Sequence, residues 1–423
     1  HQHSIPMAPV GERHIPRKGN VGRNALAATL VLLLFGACSA EEDEVSGVNT
    51  PQTPSVERSV GFDGDIVRLG VIANLTGPGA TLDRARLTGV SAYWSDVNMA
   101  GGLGERYAVE LVIVDHRGDP QIAAEAIPEL LDQVVALAFV NETAMGAVHP
   151  FLAADQVLGV APTSTLDWES DPRFLTHSPP VEAIVLALFE RSPSRRWCVV
   201  TDGSPLGVSI EAVASEAARL AGVQRVTLID VSEDLMIAVS AAACSKVLIE
   251  TADQLQQRVL DSLPADRTVF RQAGVTDPGT RRDDIEFAYI DSGPAWSVDS
   301  STGMRQFLAA LLRHAPDTEP DTRIREGYVS QLRLHALLNQ AVSLGDLRRS
   351  NLFSLGQSHQ LIDMSGLAED VDMSAEPQIL PRSAMVWAES QDNDQIEADA
   401  RGWSPTELLR PEKFSVLASE RSN

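Results

Sequence analysis

Short apolar runs alternate with stretches of helical periodicity along most of this chain, and that alternation limits the fold most strongly. The run IVRLGVIAN at 66–74 predicts a buried strand, and the apolar spacing over 82–98 predicts a helix that ends at Gly101-Gly102. The pattern continues with strands predicted at 109–115, 135–140 and 157–161 and helices at 122–133 and 146–155. Strands that are joined through helices by short loops predict a parallel sheet covered on both faces.

A second series of the same kind follows the first. Its strands are predicted at 197–202, 226–231, 246–251, 269–273 and 287–290, and its helices at 210–221 and 252–262. Helical stretches then dominate at 303–314 and 325–343, before a late strand at 383–387 and a polar tail. The sequence therefore predicts two similar α/β lobes written one after the other.

Composition excludes several classes of protein. The 423 residues fit two or three domains or one bilobal unit, and 44% hydrophobic with 22% charged residues is typical of a globular chain rather than a multi-span membrane protein. The net charge of -24 argues against a nucleic-acid partner, because phosphate backbones attract basic surfaces. Without a G-x-S-x-G elbow, a C-x-x-C pair or clustered histidines, the sequence predicts neither an enzyme nor a metal site or cofactor.

The N-terminal region has the pattern of an export signal. The apolar run at 25–37 (ALAATLVLLLFGA) is too short for an ordinary bilayer span, and basic residues precede it. The run ends in Phe-Gly-Ala-Cys38, which resembles the lipobox of bacterial lipoproteins, although Phe35 departs from the usual leucine. We expect a signal peptide at 1–37, a lipid on Cys38 that anchors the exported protein to a bacterial membrane, and a flexible tether over 38–63. An ordinary signal peptide is the alternative.

Two further cysteines, Cys198 and Cys244, are a candidate disulfide pair in an exported, oxidising setting. Both lie at or just before the start of a predicted strand, so a bridge between neighbouring strands is geometrically feasible. Two buried free thiols are the alternative.

Three sequence blocks carry a family resemblance. In 69–131, a strand is followed by L-T-G-P, a helix closes in N-x-A-G-G, and the next strand ends in Asp115 ahead of D-P and another helix. The blocks PFLAADQVLGVAPTST at 150–165 and RRWCVVTDGSPLG at 195–207 follow in order. Through about 64–390 the chain resembles the type I periplasmic binding proteins, and most closely the branched-chain amino-acid (Leu/Ile/Val) type of ABC-transporter substrate-binding lipoprotein.

The resemblance implies a type I periplasmic binding protein fold, with two doubly wound parallel-sheet lobes, a ligand cleft and three hinge crossovers. Each lobe would then be discontinuous, and closure of the hinge would grip the ligand. The implied segments are 64–180 and 298–378 for lobe 1, 181–297 and 379–395 for lobe 2, and 396–423 for a C-terminal tail, with crossovers near 178–182, 291–298 and 375–382.

For the first lobe, the resemblance implies a ligand site on three loops. Short hydroxyls and exposed amides on these loops would suit a carboxylate. The alternative is that they are ordinary caps of the following helices. The residues concerned are Thr76, Gly77, Thr143, Ala144, Thr163, Ser164 and Thr165.

The second lobe departs from the family pattern. Leu206 stands where amino-acid binders often have a tyrosine, and no carboxylate stands near Ala273 to pair with a ligand ammonium. Glu250 and Asp253 are the nearest acids for that role, although solvated charges at an exposed strand end are the alternative. The ligand therefore need not be an amino acid.

The function implied is capture of a small polar solute outside the cytoplasmic membrane, such as an amino acid, an amide or a short carboxylate, and its delivery to an ABC permease. The weak anchors in the second lobe keep a second class open. In that class the same fold serves as a ligand sensor or as a regulator of an envelope enzyme.

Overall fold

The computed structural model describes residues that all lie within one compact unit, Thr53–Asn423. They are 55–162, 165, 168, 171–191, 196–231, 244–251, 253–272, 284–291, 300–358, 361–372, 383–389, 398–399 and 406–407. The expected signal peptide, Cys38 and all but the last part of the expected tether lie outside the described residues, as do most of the second and all of the third expected crossover.

The first sheet contains five parallel strands in the order β2-β1-β3-β4-β5. The strands are β1 (Ile66–Ala73), β2 (Ala108–Asp115), β3 (Ala136–Val140), β4 (Gly159–Val160) and β5 (Phe174–Leu175). Helices α1 (Ala80–Met99), α2 (Pro120–Leu131) and α3 (Glu142–Asp155) connect them. Because all five strands are parallel, their carboxyl ends share one edge of the sheet.

The next part of the chain forms five parallel strands of the second sheet, together with three helices that pack on it. They are α4 (Val181–Arg191), β6 (Arg196–Thr201), α5 (Pro205–Ala221), β7 (Arg225–Asp230), β8 (Lys246–Glu250), α6 (Asp253–Ser262), β9 (Arg267–Gln272) and β10 (Ile285–Asp291). Successive side chains of β6 point to opposite faces of the sheet. Trp197 and Val199 enter the core that α4 and α5 cover, whereas Cys198 and Val200 enter the core that α6 covers.

The chain then returns to the first sheet. Helices α7 (Thr302–His314), α8 (Thr322–Val329), α9 (Gln331–Leu344) and α10 (Arg349–Gly356) are followed by the short pair β11 (Leu361–Ile362) and β12 (Val371–Asp372). Phe307 and Leu337 from these helices share one core with Val67 of β1 and Trp94 of α1. One face of the first sheet is therefore built from two distant stretches of sequence.

The last described strands complete the second sheet. β13 (Ser383–Glu389) lies antiparallel on β10, and β14 (Ala398–Asp399) and β15 (Thr406–Glu407) both pair with β13. The sheet order is β14-β13-β10-β9-β8-β6-β7. The two parallel-sheet systems confirm the α/β fold predicted from the sequence.

Several element boundaries differ from the sequence prediction. Helix α3 begins at Glu142 rather than Gly146, because the side chain of Asn141 caps it by accepting a hydrogen bond from the Thr143 amide. The helix predicted at 325–343 is two helices that meet at Ser330. Strand β5 and helix α4 were not predicted, and α4 begins within the expected first crossover.

Cys198 and Cys244 are joined by a disulfide, with their Cα atoms 5.7 Å apart. Cys198 lies in β6, and Cys244 lies two residues before β8, the strand beside β6. The bond therefore ties together two adjacent central strands of the second sheet.

Two glycines allow α1 and α8 to cross at close range. A Cβ atom on Gly89 would collide with the Ile324 carbonyl oxygen, and one on Gly327 would collide with the Arg86 carbonyl oxygen. Each helix therefore presents bare backbone where the other approaches. This brings Arg86 of α1 into contact with Glu326 of α8.

We expect Gly89→Ala and Gly327→Ala each to lower the free energy of unfolding by about 1–3 kcal/mol, because the helices must separate to admit the methyl group. Gly146→Ala is the control, since nothing lies within 4 Å of the added Cβ in the exposed part of α3. It should leave stability unchanged or raise it by up to about 1 kcal/mol. Chemical denaturation measures all three, and equal effects would contradict the close crossing.

Candidate functional site

Polar side chains follow the strands of the first sheet at their shared carboxyl edge. Asn74 follows β1, Asp115 ends β2, Asn141 follows β3, and His177 lies two residues after β5. Loops at the carboxyl ends of parallel strands are where open α/β sheets bind ligands. This edge is therefore the first half of the candidate site.

The loop after β1 satisfies its own hydrogen-bond donors. The Thr76 hydroxyl donates to Asp115 Oδ2 at 2.6 Å, and the Gly77 amide donates to Asn74 Oδ1 at 2.9 Å. Burial alone would raise the pKa of Asp115. Hydrogen bonds from the Thr76 hydroxyl and from the backbone amides of Leu75 and Arg117 outweigh burial and hold this pKa below its usual value. Asp115 is therefore ionised and fixes the loop.

The start of α3 is satisfied internally in the same way. Asn141 Oδ1 accepts from the Thr143 amide at 2.9 Å and from the Thr143 hydroxyl at 2.5 Å. The Ala144 amide donates to the Asn141 carbonyl at 3.0 Å, and the Ala144 methyl group is fully buried in the core. The donors that were expected to hold a ligand carboxylate are thus already paired with the protein.

Arg86 lies at the centre of this edge and is fully buried. Its Nη1 donates to Glu142 Oε1 at 2.7 Å, and its Nε donates to Glu326 Oε2 at 3.1 Å. A third carboxylate, Asp83, lies 3.9 Å from Nη1. The guanidinium therefore joins α1, α3 and α8 through one buried ion network.

Asp83 links that network to the loops. Its Oδ2 accepts from the Asn74 amide at 2.7 Å and from Asn141 Nδ2 at 2.8 Å. Burial, and then the negative charge of Glu142, raise the pKa of Asp83 to about 7. The loops after β1 and β3 are consequently held by the same carboxyl group.

The carboxyl edge of the second sheet contributes Glu250, which ends β8. Burial raises the pKa of Glu250 to about 7, and the charges of Asp202 and Glu142 add to the effect, while Arg323 and Arg86 oppose it. Glu142 and Arg86 belong to the first sheet's edge, so the carboxyl edges of the two sheets lie close enough to act on each other. The contact between α3 and α5 agrees with this arrangement.

The remaining residues predicted for the site do not share one environment. Thr165 is buried, and Leu206 packs in the first turn of α5 against the core beneath α4 and α5. Asp253 begins α6. Thr163 and Ser164, like the side chain of Asp253, lie outside the described residues.

Sequence reasoning missed Arg86, Glu326 and His177. Arg86 lies four residues after Leu82 and three before Gly89, on the apolar face predicted for α1, and an arginine on such a face is a detectable signal. His177 is 1% exposed, and neither ring nitrogen bonds to another residue in the described part of the chain. Burial lowers the pKa of His177 to about 4, so its imidazole is neutral.

Within the described residues, no helix has both the length and the apolar composition needed to cross a membrane. The same residues bring no three His, Cys, Asp or Glu side chains into a group that could hold a metal ion.

Comparison with known proteins agrees with this architecture. Residues 66–235 match the family model described as periplasmic binding protein. A search of curated protein sequences finds no match. The resemblance to the type I periplasmic binding proteins is confirmed by the family match and by the solved structures that share the fold.

Three of these solved structures illustrate the similarity. A fatty acid ABC transporter substrate-binding protein from Thermomonospora curvata is 17% identical with a TM-score of 0.70, covering 84% of this chain and 94% of its own. A possible leucine/isoleucine/valine-binding protein from Rhodopirellula baltica is 15% identical with a TM-score of 0.63, covering 84% and 100%. A solute binding protein from Rhodopseudomonas palustris, solved with 3,4-dihydroxy benzoic acid, is 12% identical with a TM-score of 0.65, covering 82% and 99%.

We expect Arg86→Met to lower the free energy of unfolding by about 3–5 kcal/mol, because Glu142 and Glu326 would lose their shared cation while staying largely shielded from water. Arg84→Met is the matched control, since Arg84 is exposed on the same helix. Its effect should stay below about 1 kcal/mol. Urea denaturation compares the two, and a similar loss in both variants would contradict the role assigned to Arg86.

We also expect Glu250→Gln to stabilise the unliganded protein above pH 7. The side chain ionises near pH 4.5 in the unfolded chain but near pH 7 in the folded one, so the native free energy of unfolding falls as the pH rises between these values. The variant has no carboxylate to ionise, so its free energy of unfolding should exceed that of the native protein by about 1–3 kcal/mol at pH 8 and should equal it at pH 4. Thermal unfolding at both pH values measures the gain, and a variant less stable than the native protein at pH 8 would contradict it.

Proposed function

We propose that this chain is the extracytoplasmic solute-binding protein of an ABC transporter, which captures a small polar solute between its two sheet systems. The observation that carries the proposal is the contact between α3 and α5, which follow strands of different sheets. The charges of Glu142 and Arg86 at the first sheet's edge accordingly act on Glu250 at the second sheet's edge. Two such edges that face each other across a cleft can enclose a ligand, and closure follows because the ligand prefers the closed state.

The family match over 66–235 supports this function, and the names of the solved structures with the same fold describe transport-related binding of small solutes. The solutes named for those proteins differ from one another. We therefore assign this chain to solute capture, and we take no solute class from those proteins.

Export and anchoring belong to the same proposal. A cleavable signal over 1–37 would send the protein out of the cytoplasm, and a lipid on Cys38 would hold it beside its permease through the polar segment 38–63. Lobe boundaries at 180, 297 and 378 would place the hinge at the three crossovers.

Binding is tested by thermal shift and by small-angle X-ray scattering on the purified chain with amino acids, amides, urea, carboxylates and amines. A solute at one hundred times its Kd should stabilise the fold by about 2.7 kcal/mol. It should also reduce the radius of gyration, because the lobes close on it.

A folded protein that neither gains stability nor contracts with any of these solutes would contradict solute capture. It would favour the second function, a ligand sensor or a regulator of an envelope enzyme. Recovery of an envelope enzyme rather than a permease in a pull-down would then support that alternative.

A further inference from the structure

Two buried side chains at the carboxyl edge of the first sheet have polar atoms without a hydrogen-bond partner. Arg86 is fully buried, and its Nη2 bonds to nothing in the described part of the chain, although its Nε and Nη1 are paired. His177 is also buried, and neither of its ring nitrogens bonds to another described residue. A buried donor without an acceptor costs free energy, so both groups favour any state in which they gain an acceptor.

The two side chains belong to one buried region. Arg86 comes from α1, and His177 comes from the segment after β5, where the chain leaves the first sheet for the second. Burial lowers the pKa of His177, the charge of Glu326 opposes this effect, and the charge of Arg86 adds to it. Glu326 also accepts a hydrogen bond from Arg86 Nε. The imidazole, the guanidinium and the carboxylate therefore lie within electrostatic reach of one another.

This region lies on the side of the first sheet that faces the second. The charge of Arg86 acts on Glu250, which ends β8 of the second sheet. The proposed lobe boundary at 180 follows His177 by a few residues, so the region is next to the proposed hinge. Separation of the lobes about that hinge gives water and solutes access to it, and closure seals it again.

The charges of the region favour an uncharged ligand. Glu142 and Glu326 both bond to Arg86, and Asp83 lies 3.9 Å from its Nη1. Several carboxyl groups thus share one guanidinium, which leaves no surplus positive charge to hold an anion. The neutral imidazole of His177 adds no charge and supplies one N–H donor. The free donors suit the oxygen of an uncharged group.

We propose that Arg86 and His177 form a subsite at the hinge side of the cleft, which binds an uncharged carbonyl oxygen of the solute. Arg86 Nη2 and the imidazole N–H donate to this oxygen while the lobes are apart. Closure around the solute then buries paired donors, whereas closure without it buries unpaired ones. The subsite therefore selects amide-like solutes and opposes closure of the empty protein. This inference rests on the proposed function and deepens it.

The first test is isothermal titration calorimetry on the purified chain, with probes that share a carbon skeleton. The sets are butyramide, butyrate and butylamine, then benzamide, benzoate and benzylamine, and finally succinamide, succinate and 1,4-diaminobutane. We expect the carboxamides to bind and the matching carboxylates to bind at least about tenfold more weakly, because an anion meets the surplus of acid. The amines have no carbonyl oxygen and should lose at least about tenfold as well.

The variant His177→Leu should weaken binding of the best carboxamide at least about tenfold, because an apolar side chain donates no hydrogen bond. The same change removes a buried polar group without a partner, so the unliganded variant should be at least as stable as the native protein in chemical denaturation. His149→Leu is the matched control, since the ring of His149 bonds to Asp171 and is partly exposed. Its affinity should equal that of the native protein.

Arg86→Lys separates hydrogen bonding from charge. Lysine keeps a cation for Glu142 and Glu326 but has no counterpart of Nη2. Its affinity for the best carboxamide should fall at least about tenfold, while Arg84→Lys on the exposed face of α1 should leave affinity unchanged. Circular dichroism verifies the fold of both variants, and His177→Leu decides alone where Arg86→Lys does not fold.

The failures are distinguishable. Carboxamide binding that His177→Leu leaves unchanged would overturn the subsite and leave solute capture standing, and so would tighter binding of the matching carboxylates. A His177→Leu protein that is less stable than the native one would show that the ring serves the fold, and it would also overturn the subsite alone. Absence of binding by every probe would overturn the subsite and solute capture together.

Discussion

The buried guanidinium of Arg86 is the interaction on which the candidate site depends. It holds Glu142 at the start of α3 and Glu326 on α8, while Asp83, one turn earlier on α1, accepts from the loops after β1 and β3. Buried charges are costly unless they are paired and hydrogen-bonded, so the position of each acid depends on the cation. Without Arg86, nothing else among these contacts would keep several carboxyl groups at one sheet edge.

The close crossing of α1 and α8 makes that pairing feasible. Gly89 and Gly327 let the two backbones touch, and Arg86 therefore reaches Glu326 although 240 positions separate them. Because α8 belongs to the stretch that returns to the first sheet, the site requires the discontinuous arrangement of the chain. Phe307 and Leu337 of the same stretch pack into the core around Val67 and hold these helices on the first sheet. The core and the site therefore depend on the same topology.

Local patterns predicted much of the fold and less of the site. The apolar runs fixed β1 and β2 to within one residue, because buried parallel strands are almost continuously apolar. The start of α3 was missed, because Asn141 was not recognised as its cap. Arg86 stands on a predicted apolar face, but its partners lie 56 and 240 residues away, and no local spacing pairs them. Glu250 was predicted as a ligand contact, and that role stays a proposal.

The central claim is that Glu142 and Glu250, from different sheets, face one cleft. Carbon-13 NMR of glutamate carboxyl groups tests it most directly, with Glu250 assigned from the signal missing in Glu250→Gln. The account predicts that Glu250 titrates near pH 7 and that Glu142→Gln lowers its pKa, because the charge of Glu142 raises it. A Glu250 that titrates near pH 4.5 and does not respond to Glu142→Gln would contradict the account.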